Sequence, residues 1–490
     1  MKRISTYILL ALAIGSIWIA GARNAGLIEM RDQYDLNQAE PLENTPPLVA
    51  FTTVALGGFR GLLVDALWMR LSRLQSEGKY FELVQLADWI TKLEPRSAAI
   101  WSYQAWNLSY NISVLMSSDE DRWRWVYHGV KLLRDDGLKY NHGSAKLYKE
   151  LGWIFQHKIG SDSDQAHWHY KRQWYQMMDQ ILQGPRPDYT AWSDLPADRK
   201  ELRGAQTADI ILAEFQNEDI DPFNQRWINP AERPARMQKI LAAHPQGADI
   251  YLRFLRRLVL RERYKMDPEL MEEIEGAYGP LDWRVPETHA IYWAKKGIPY
   301  ARTKFEQGSL TRMMYQSMAA LMRHGRFIYI DGELLNLPDI ELFPHVNRIF
   351  QDALGYGPQS GSFDDAYLNF LFDALMLSIY LQRDDQAHDI FDQIKALDIE
   401  KMKDQTFDSL AANLSRTPVE QLPRHRALAK IYGLLMQSAE SRAAGKTELA
   451  QKLRNQAKAD WESFMAVRQN PNVRKRTGLP PFDTIKAAAK

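Results

Sequence analysis

Apolar residues recur at helical spacing along most of this 490-residue chain. In the stretch YFELVQLADWITKLEP, Leu83, Leu86 and Ile90 are three and four residues apart and therefore share one face of a helix. Gly78 precedes this helix and Pro95 follows it, and both residue types are typical of helix boundaries. The same spacing returns in LYKELGWIFQHKIG and in the C-terminal third. The pattern predicts an all-α protein of successive helix pairs, each of which buries its apolar face against a neighbour.

One stretch between these helices has a different pattern. In RFIYIDGELLN, two short apolar runs flank Asp331 and Gly332. An Asp-Gly pair between apolar runs is a strong signal for a two-residue hairpin turn, because both residues tolerate positive φ angles. The sequence therefore predicts one small β-hairpin at about residues 326–336.

An uncharged apolar run, YILLALAIGSIWIAGA, covers residues 7–22 and follows Lys2 and Arg3. Such a run is either a membrane anchor or a cleavable signal peptide, for which the end of the run at Ala22 is a suitable cleavage site. The length of the run and the presence of Trp18 favour the anchor. In both cases the basic residues before the run predict that the rest of the chain is exported.

The helix pairs resemble the tetratricopeptide (TPR) repeat. Leu151-Gly152 matches the first helix of that repeat, and Ala166 and Tyr170 match the small and aromatic positions of the second helix. The repeats are degenerate, because one unit has an insertion, SSDEDRW, and His142 replaces its closing proline. The stretches GGFRG, YFELVQLADWITKLEPR and ELGWIFQHKIG also resemble uncharacterised bacterial membrane-anchored TPR-type proteins. The resemblance implies a degenerate TPR-like α-solenoid of stacked antiparallel helix pairs in a bacterial cell envelope.

Changes in composition divide the chain into segments. They are a signal anchor or signal peptide (1–32), a linker (33–56), N-terminal TPR-like repeats (57–183), a loop-rich middle segment with helices (184–286), a helical segment with the hairpin (287–355), C-terminal TPR-like helix pairs (356–468) and a basic tail (469–490). Residues 184–236 are rich in Pro, Asp, Asn and Arg, so we expect a long connection there. We expect the tail to be loose.

Composition excludes several classes of function. The formal net charge is +1 and the basic residues are scattered, which argues against nucleic acid as a partner. The chain has no cysteine, which excludes disulfides, thiolate metal sites and a cysteine nucleophile. It has 15 tryptophans, an unusual number that weakly favours an aromatic binding surface.

The stretch LYKELGWIFQHKIGSDSDQAHWHYKRQWY contains three histidines. His167 and His169 are two residues apart, so on a helix they point to opposite sides and cannot share a metal ion. We expect both to pack against a neighbouring repeat or to lie at the surface, with His167 near Lys171. The chain also lacks the sequence motifs of serine hydrolases, phosphate-binding loops and dinucleotide sites. The sequence therefore predicts no catalytic residue, no cofactor and no metal site.

In TPR proteins the first helices line a concave groove that receives partner segments. The register of the repeats gives the residues that would line this groove here. They are Trp68, Tyr103, Trp106, Tyr110, Lys146, Lys149, Trp153, Gln156 and His157. An aromatic floor with two lysines beside it suits an extended peptide with an acidic group or a C-terminus. The alternative is that these aromatic residues pack against the connection at 184–236.

The expected function is that of an exported, membrane-tethered scaffold or adaptor, which binds another envelope protein or peptide segment through this groove. Residues 7–22 would hold it in the bacterial cell membrane as a single-pass protein with its body in the periplasm. If the chain is cleaved after Ala22, the protein is periplasmic instead. Two alternatives stay open: an envelope enzyme or binding protein with a Trp-rich cleft for glycans, and an assembly factor for a transporter or secretion system.

Overall fold

The computed structural model describes residues 59–204, 206–354, 361–397, 402 and 404–489, together with Gly15. The chain divides into two compact units, Met1–Ala66 and Leu67–Lys490. Apart from Gly15, the predicted anchor or signal run at 7–22 and the linker at 33–56 lie outside the described residues. Among the helices that are described, none combines the length and the apolar character needed to cross a membrane.

The described residues are mostly helical, which confirms the all-α prediction. The N-terminal helices are α1 (Phe59–Ser76), α2 (Tyr80–Leu93), α3 (Ala98–Trp106), α4 (Asp119–Lys131), α5 (Leu138–Tyr140), α6 (Ala145–Trp153) and α7 (His167–Leu182). The middle helices are α8 (Tyr189–Ser193), α9 (Arg199–Gly204), α10 (Gln206–Asn217), α11 (Ala235–Ala243), α12 (Pro245–Arg263), α13 (Pro268–Tyr278), α14 (Pro286–Gly297) and α15 (Lys304–His324). The C-terminal helices are α16 (Phe343–Leu354), α17 (Gly361–Tyr380), α18 (Asp384–Ala396), α19 (Phe407–Arg416), α20 (Arg424–Ala443), α21 (Thr447–Ala466), α22 (Pro471–Thr477) and α23 (Phe482–Ala488).

Helices α3, α4 and α6 each continue directly into a π-helical stretch. These stretches are Asn107–Ile112, Leu132–Gly137 and Ile154–Gly160. A π-helical turn widens the helix and moves the following side chains to a new direction, and such turns are frequent at functional sites. Two of the three stretches carry residues that the sequence places in the groove.

The predicted hairpin is confirmed. Strand β1 (Arg326–Ile330) pairs antiparallel with β2 (Glu333–Leu337), and Ile330 lies opposite Glu333. The two turn residues, Asp331 and Gly332, have φ angles of 50° and 84°. Positive φ at both positions is what a two-residue turn of this twist requires.

Helix pairs in the second unit pack against their neighbours, which is consistent with the predicted α-solenoid. The consecutive helices α20 and α21 pack closely against each other, and Gly433 in α20 lies directly against the end of α17. A Cβ atom on Gly433 would overlap the carbonyl oxygen of Tyr380. The packing also joins distant segments, because α6 contacts both α14 and α15.

Residues 184–236 are more helical than the expected long connection. Helix α10 buries Ala208, Ile211 and Phe215, which are three and four residues apart along one face. Phe215 meets Tyr251 of α12 edge to face at 5.3 Å. The polar and proline-rich flanks concealed this short amphipathic pattern.

The expectation of a loose C-terminal tail is wrong, because residues 471–488 contain two helices. The side chain of Asn470 caps α22 by accepting hydrogen bonds from the backbone of Asn472 and Val473. Lys475 pairs with Asp119 at 2.6 Å, and Ile485 is fully buried. The tail is therefore held by a cap, an ion pair and apolar burial, and it lies against the N-terminal helices.

Candidate functional site

Four of the predicted groove residues form a continuous row of rings, which we call the aromatic strip: Trp106, Tyr110, His157 and Trp153. Trp106 stacks on Tyr110 at 5.9 Å between ring centres, and Tyr110 lies 5.8 Å from His157. His157 stacks on Trp153 at 4.8 Å with only 6° between the ring planes. Trp106 remains 39% exposed. The strip is therefore a surface feature whose rings hold one another in place.

The π-helical stretches position two members of this strip. Tyr110 lies in the stretch that follows α3, and His157 lies in the stretch that follows α6. Their side chains meet in a hydrogen bond of 3.3 Å between the Tyr110 hydroxyl and Nδ1 of His157. Burial and the charge of Lys158 lower the pKa of His157, which keeps its imidazole neutral at pH 7.

Four further residues predicted to line the groove lie outside the aromatic strip. Trp68 meets Tyr103 edge to face at 5.5 Å, and the Tyr103 hydroxyl donates to Oε1 of Gln75 over 2.7 Å. Lys146 is exposed and Lys149 is half-buried, both on α6. Tyr103 lies on α3 and the two lysines on α6, the helices that carry Trp106 and Trp153, whereas Trp68 lies on α1.

Gln156 is used in packing. Its Nε2 donates to Oγ of Ser317 at 2.9 Å and to the carbonyl of Met313 at 3.2 Å. These bonds tie the π-helical stretch that follows α6 to α15. The rings of the strip contact one another, and helix α10 of the segment 184–236 packs on α12.

The strip borders a cavity of about 710 Å³, whose wall includes Trp153, Gln156 and His157. The charged and other polar side chains of its wall come from segments far apart in the sequence. They include Asp162, His167, Lys171, Glu287, Arg323, His324, Asn336, Arg424, His425 and Arg468. We call it the basic cavity, because four of these residues are Lys or Arg and two are Asp or Glu.

Lys171 is a deeply buried cation of this wall, with 2% of its surface exposed. Its ammonium donates to Nδ1 of His167 at 2.8 Å and to the carbonyl of Ser161 at 3.2 Å. Nε2 of His167 lies 2.8 Å from the carbonyl oxygen of Arg476, which can only accept, so Nε2 carries the proton. Burial lowers the pKa of Lys171 to about 8. Burial and the Lys171 charge lower the pKa of His167 to about 2.

Arg424 begins α20 and faces the same cavity. Its Nε donates to the carbonyl of Gly478 at 3.0 Å, and its Nη1 donates to Oδ1 of Asn336 at 2.7 Å. The guanidinium lies 4.3 Å from the centre of the Trp168 ring, a cation–π contact. Burial lowers the pKa of Arg424 to about 9, although part of the side chain is open to the space of the cavity.

Glu287 is the buried acid of the cavity. Its Oε1 accepts a hydrogen bond of 3.1 Å from His324, and its Oε2 is buried with no hydrogen-bond partner in the described part of the chain. Burial acts to raise the pKa of Glu287, but the bond from His324 and the charge of Lys171 outweigh it, so the pKa is lowered. Gly160 leaves room for this carboxylate, since a Cβ there would lie 2.7 Å from Oε1.

The three histidines of the stretch between residues 147 and 175 have different roles. His157 belongs to the strip, and His167 is buried beside Lys171 as expected. His169 is half-buried, with burial lowering its pKa. Within the described ranges, no group of three or more His, Asp or Glu side chains comes together as a metal site.

The sequence pattern predicted the strip but gave no prediction of the basic cavity. A signal for the cavity exists in the stretch LPRHRA, where Arg424, His425 and Arg426 form the first turn of α20 without any acidic residue. Basic residues are disfavoured at this end of a helix, because the helix dipole is positive there. Such a cluster needs compensating negative charge, which Asp373 supplies to Arg426.

Comparison with protein-family models, with curated proteins and with solved structures finds no match to this chain. The chemistry of the strip and the basic cavity is therefore what bears on function.

Proposed function

We propose that the protein is a TPR-like scaffold or adaptor, which holds an extended segment of another bacterial envelope protein along the aromatic strip. The observation that carries this proposal is the continuous row from Trp106 to Trp153, left partly open on the surface. Exposed tryptophan and tyrosine are the side chains most enriched at the energetic centres of protein interfaces. Their rings offer large contact area with little loss of side-chain freedom on binding.

Charge around the strip supports an acidic partner. Lys146 and Lys149 lie on the helix that carries Trp153. Beyond Trp153 the basic cavity adds further positive charge. An extended segment that follows the rings and ends in an acidic group matches this order of apolar and basic features.

The proposed location follows from the sequence. The uncharged run at 7–22, which lies outside the described residues apart from Gly15, would tether the protein to the cell membrane. The body would then face the periplasm, where an envelope partner is available. The kinship with TPR proteins is part of the same proposal and rests on the matched positions at Leu151-Gly152, Ala166 and Tyr170.

The chemistry of the cavity favours binding over glycan hydrolysis. A glycosidase needs one carboxyl group with a raised pKa to act as the acid. The pKa of Glu287 is lowered, and its Oε1 is already bonded to His324. The third possibility, an assembly factor for a transporter or secretion system, is also an adaptor, and the identity of the partner separates it from the first.

Co-purification of the tagged full-length protein from its native membranes in mild detergent tests this proposal. The test variant is Trp106→Ala with Lys149→Ala, and the matched control is Trp89→Ala, because Trp89 is 59% exposed and lies outside the strip. We expect a stoichiometric envelope protein with the wild type and the control, and its loss from the test variant. The proposal fails if the protein purifies alone, or if the partner binds the test variant as well as it binds the wild type.

A further inference from the structure

We propose that the basic cavity is an oxyanion-binding site, which takes a carboxylate or phosphate group between Lys171 and Arg424. The inference stands on the geometry of the cavity and does not depend on the adaptor proposal. If the segment held along the aromatic strip ends in an acidic group, the strip and the cavity form one site.

Two other buried cations of this fold are paired with a carboxylate. Arg134 pairs with Asp135 at 2.7 Å, and Lys158 pairs with Asp164 at 2.6 Å. A buried charge without a counter-ion is strongly unfavourable, so this pairing is the normal solution. Arg257 departs from it by donating to backbone carbonyls of the segment around Trp192.

Lys171 and Arg424 are bonded only to neutral groups of the protein. The partners of Lys171 are a neutral imidazole and one carbonyl, and those of Arg424 are one carbonyl and one amide oxygen. Among the residues that the structure describes, no carboxylate lies within ion-pair distance of either group. Arg468, in the same wall, also bonds a carbonyl, that of Phe464.

Both side chains keep hydrogen-bond donors for a ligand. An ammonium has three N–H groups and a guanidinium has five, and each side chain uses two of them on the protein. The neighbouring contacts hold the two groups in place: His167 and Ser161 hold the ammonium, and Trp168 supports the plane of the guanidinium. An oxyanion is the ligand that accepts hydrogen bonds from both and neutralises their charge.

The titration behaviour agrees with this geometry. Burial lowers the pKa of Lys171 to about 8 and that of Arg424 to about 9, so the protein matrix disfavours both charges when the cavity holds no anion. Glu287 and Asp162 contribute negative charge to the wall, and the charge of Asp162 acts on both cations. Within the described part of the chain, neither acid lies within ion-pair distance of Lys171 or Arg424, and Glu287 is bonded to His324. A bound oxyanion would supply the missing negative charge.

The size of the cavity indicates more than a bare anion. Its 710 Å³ falls within the range of about 300–1,000 Å³ that is typical of small-molecule sites. An oxyanion group would fill only part of this space, and the rest of the ligand would pack on Trp153 and Trp168. The oxyanion therefore belongs either to a small organic anion or to the acidic end of the segment on the strip.

Thermal unfolding of the full-length protein in detergent tests the site. The probes are inorganic phosphate and acetate, each compared with chloride at matched ionic strength. We expect phosphate or acetate to raise the unfolding temperature of the wild type, and the apparent Kd to weaken by about tenfold or more in Lys171→Met and in Arg424→Gln. The matched controls Lys458→Met and Arg124→Gln change side chains that are 62% and 73% exposed, and should keep the wild-type shift.

A second readout separates binding from a purely structural role. Without added anion, Lys171→Met should unfold close to the wild-type temperature, because removal of a buried charge without a carboxylate partner offsets the hydrogen bonds lost to His167 and Ser161. Co-purification with Lys171→Met then assigns the source of the oxyanion: loss of the partner assigns it to the bound segment, and retention of the partner with loss of the anion shift assigns it to a free anion.

The inference is overturned if phosphate, acetate and chloride give the wild type the same unfolding temperature. It is equally overturned if the anion-dependent shift survives in both cavity variants. The adaptor proposal is judged by the Trp106→Ala, Lys149→Ala variant, so the two can fail separately.

Discussion

Lys171 donates a hydrogen bond to Nδ1 of His167 over 2.8 Å, and the opposite nitrogen of that imidazole donates to the carbonyl of Arg476. The pair joins the N-terminal helices to the C-terminal segment and sets one tautomer of His167. It requires a neutral imidazole, because a protonated His167 would have no lone pair for the ammonium. Because of this requirement, we expect the stability of the folded protein to depend on pH.

We predict that His167 makes the folded state sensitive to acid. Its pKa is about 2 in the folded protein, against an ordinary value of 6.5, so only the unfolded chain takes up this proton between those pH values. The free energy of unfolding should therefore fall by about 1.4 kcal/mol for each pH unit below 6.5 on account of this residue. Urea unfolding of the wild type and of His167→Gln at pH 7 and pH 5.5 measures the difference.

In that experiment His167→Gln should lose less stability on acidification than the wild type. The exposed His142 provides the matched control, and His142→Gln should keep the wild-type acid response. Equal responses of His167→Gln and the wild type would show that His167 is not held neutral in the folded state.

Lys171 should make the free energy of unfolding depend on pH in the alkaline range as well. Its pKa is about 8 in the folded protein and 10.5 ordinarily, so between these values the unfolded chain holds the proton and the folded protein has released it. Stability should rise with pH across this window, and Lys171→Met should remove that rise. Unfolding at pH 7.5 and pH 10 with Lys458→Met as control measures it, and an unchanged rise in Lys171→Met would contradict the burial of this charge.

Asp373 is predicted to stabilise the wall beside the cavity. Burial acts to raise its pKa, but the neighbouring imidazole of His425, 3.8 Å away, and the guanidiniums of Arg323 and Arg426 lower it to about 2. Asp373→Asn leaves both guanidiniums without their carboxylate and should destabilise the fold by about 3 kcal/mol. Denaturant unfolding at pH 7 checks this against Asp389→Asn, an exposed position where we expect little change.

The contribution of Asp373 to stability should decrease at acidic pH. With its folded pKa lowered from 3.8 to about 2, Asp373 contributes stability that is present above pH 3.8 and is lost as the pH falls to 2. Asp373→Asn should flatten this part of the stability profile. A profile that stays as steep as that of the wild type would show that Asp373 is not paired in solution.

Gly433 is predicted to be required by the packing of α20 on α17. A methyl group there would overlap the carbonyl oxygen of Tyr380, which belongs to the backbone and has little room to move. Gly433→Ala should lower the free energy of unfolding by about 3 kcal/mol. The control is Gly276, an exposed helical glycine where an added Cβ atom would meet none of the described residues within 4 Å. Gly276→Ala should leave stability the same or raise it by about 0.5–1 kcal/mol.

Much of the fold could be predicted because its signals are local. The spacing of Leu83, Leu86 and Ile90 marks α2, and all three side chains are buried there. The Asp331-Gly332 turn determines the hairpin through two backbone angles. Helix α10 escaped prediction because its short apolar face is surrounded by proline and charged residues.

One part of the candidate site could be predicted from local sequence spacing, and the other part could not. The aromatic strip could be inferred because Trp106 and Tyr110 are four residues apart, as are Trp153 and His157, so the members of each pair share one helical face. The basic cavity could not, because it depends on contacts such as that between Trp168 and Arg424, 256 positions apart in the chain. Nothing in the local pattern indicates that the C-terminal segment returns to α7.

Site-specific photo-cross-linking from position 106 in native membranes is the most direct test of the adaptor function. Trp106 is replaced by a photoreactive phenylalanine analogue, and Trp89 carries the same group in the control protein. We expect one cross-linked envelope protein at position 106, joined through an extended acidic segment and missing from the control. Products that are identical at the two positions, or no product at position 106, would contradict the adaptor function.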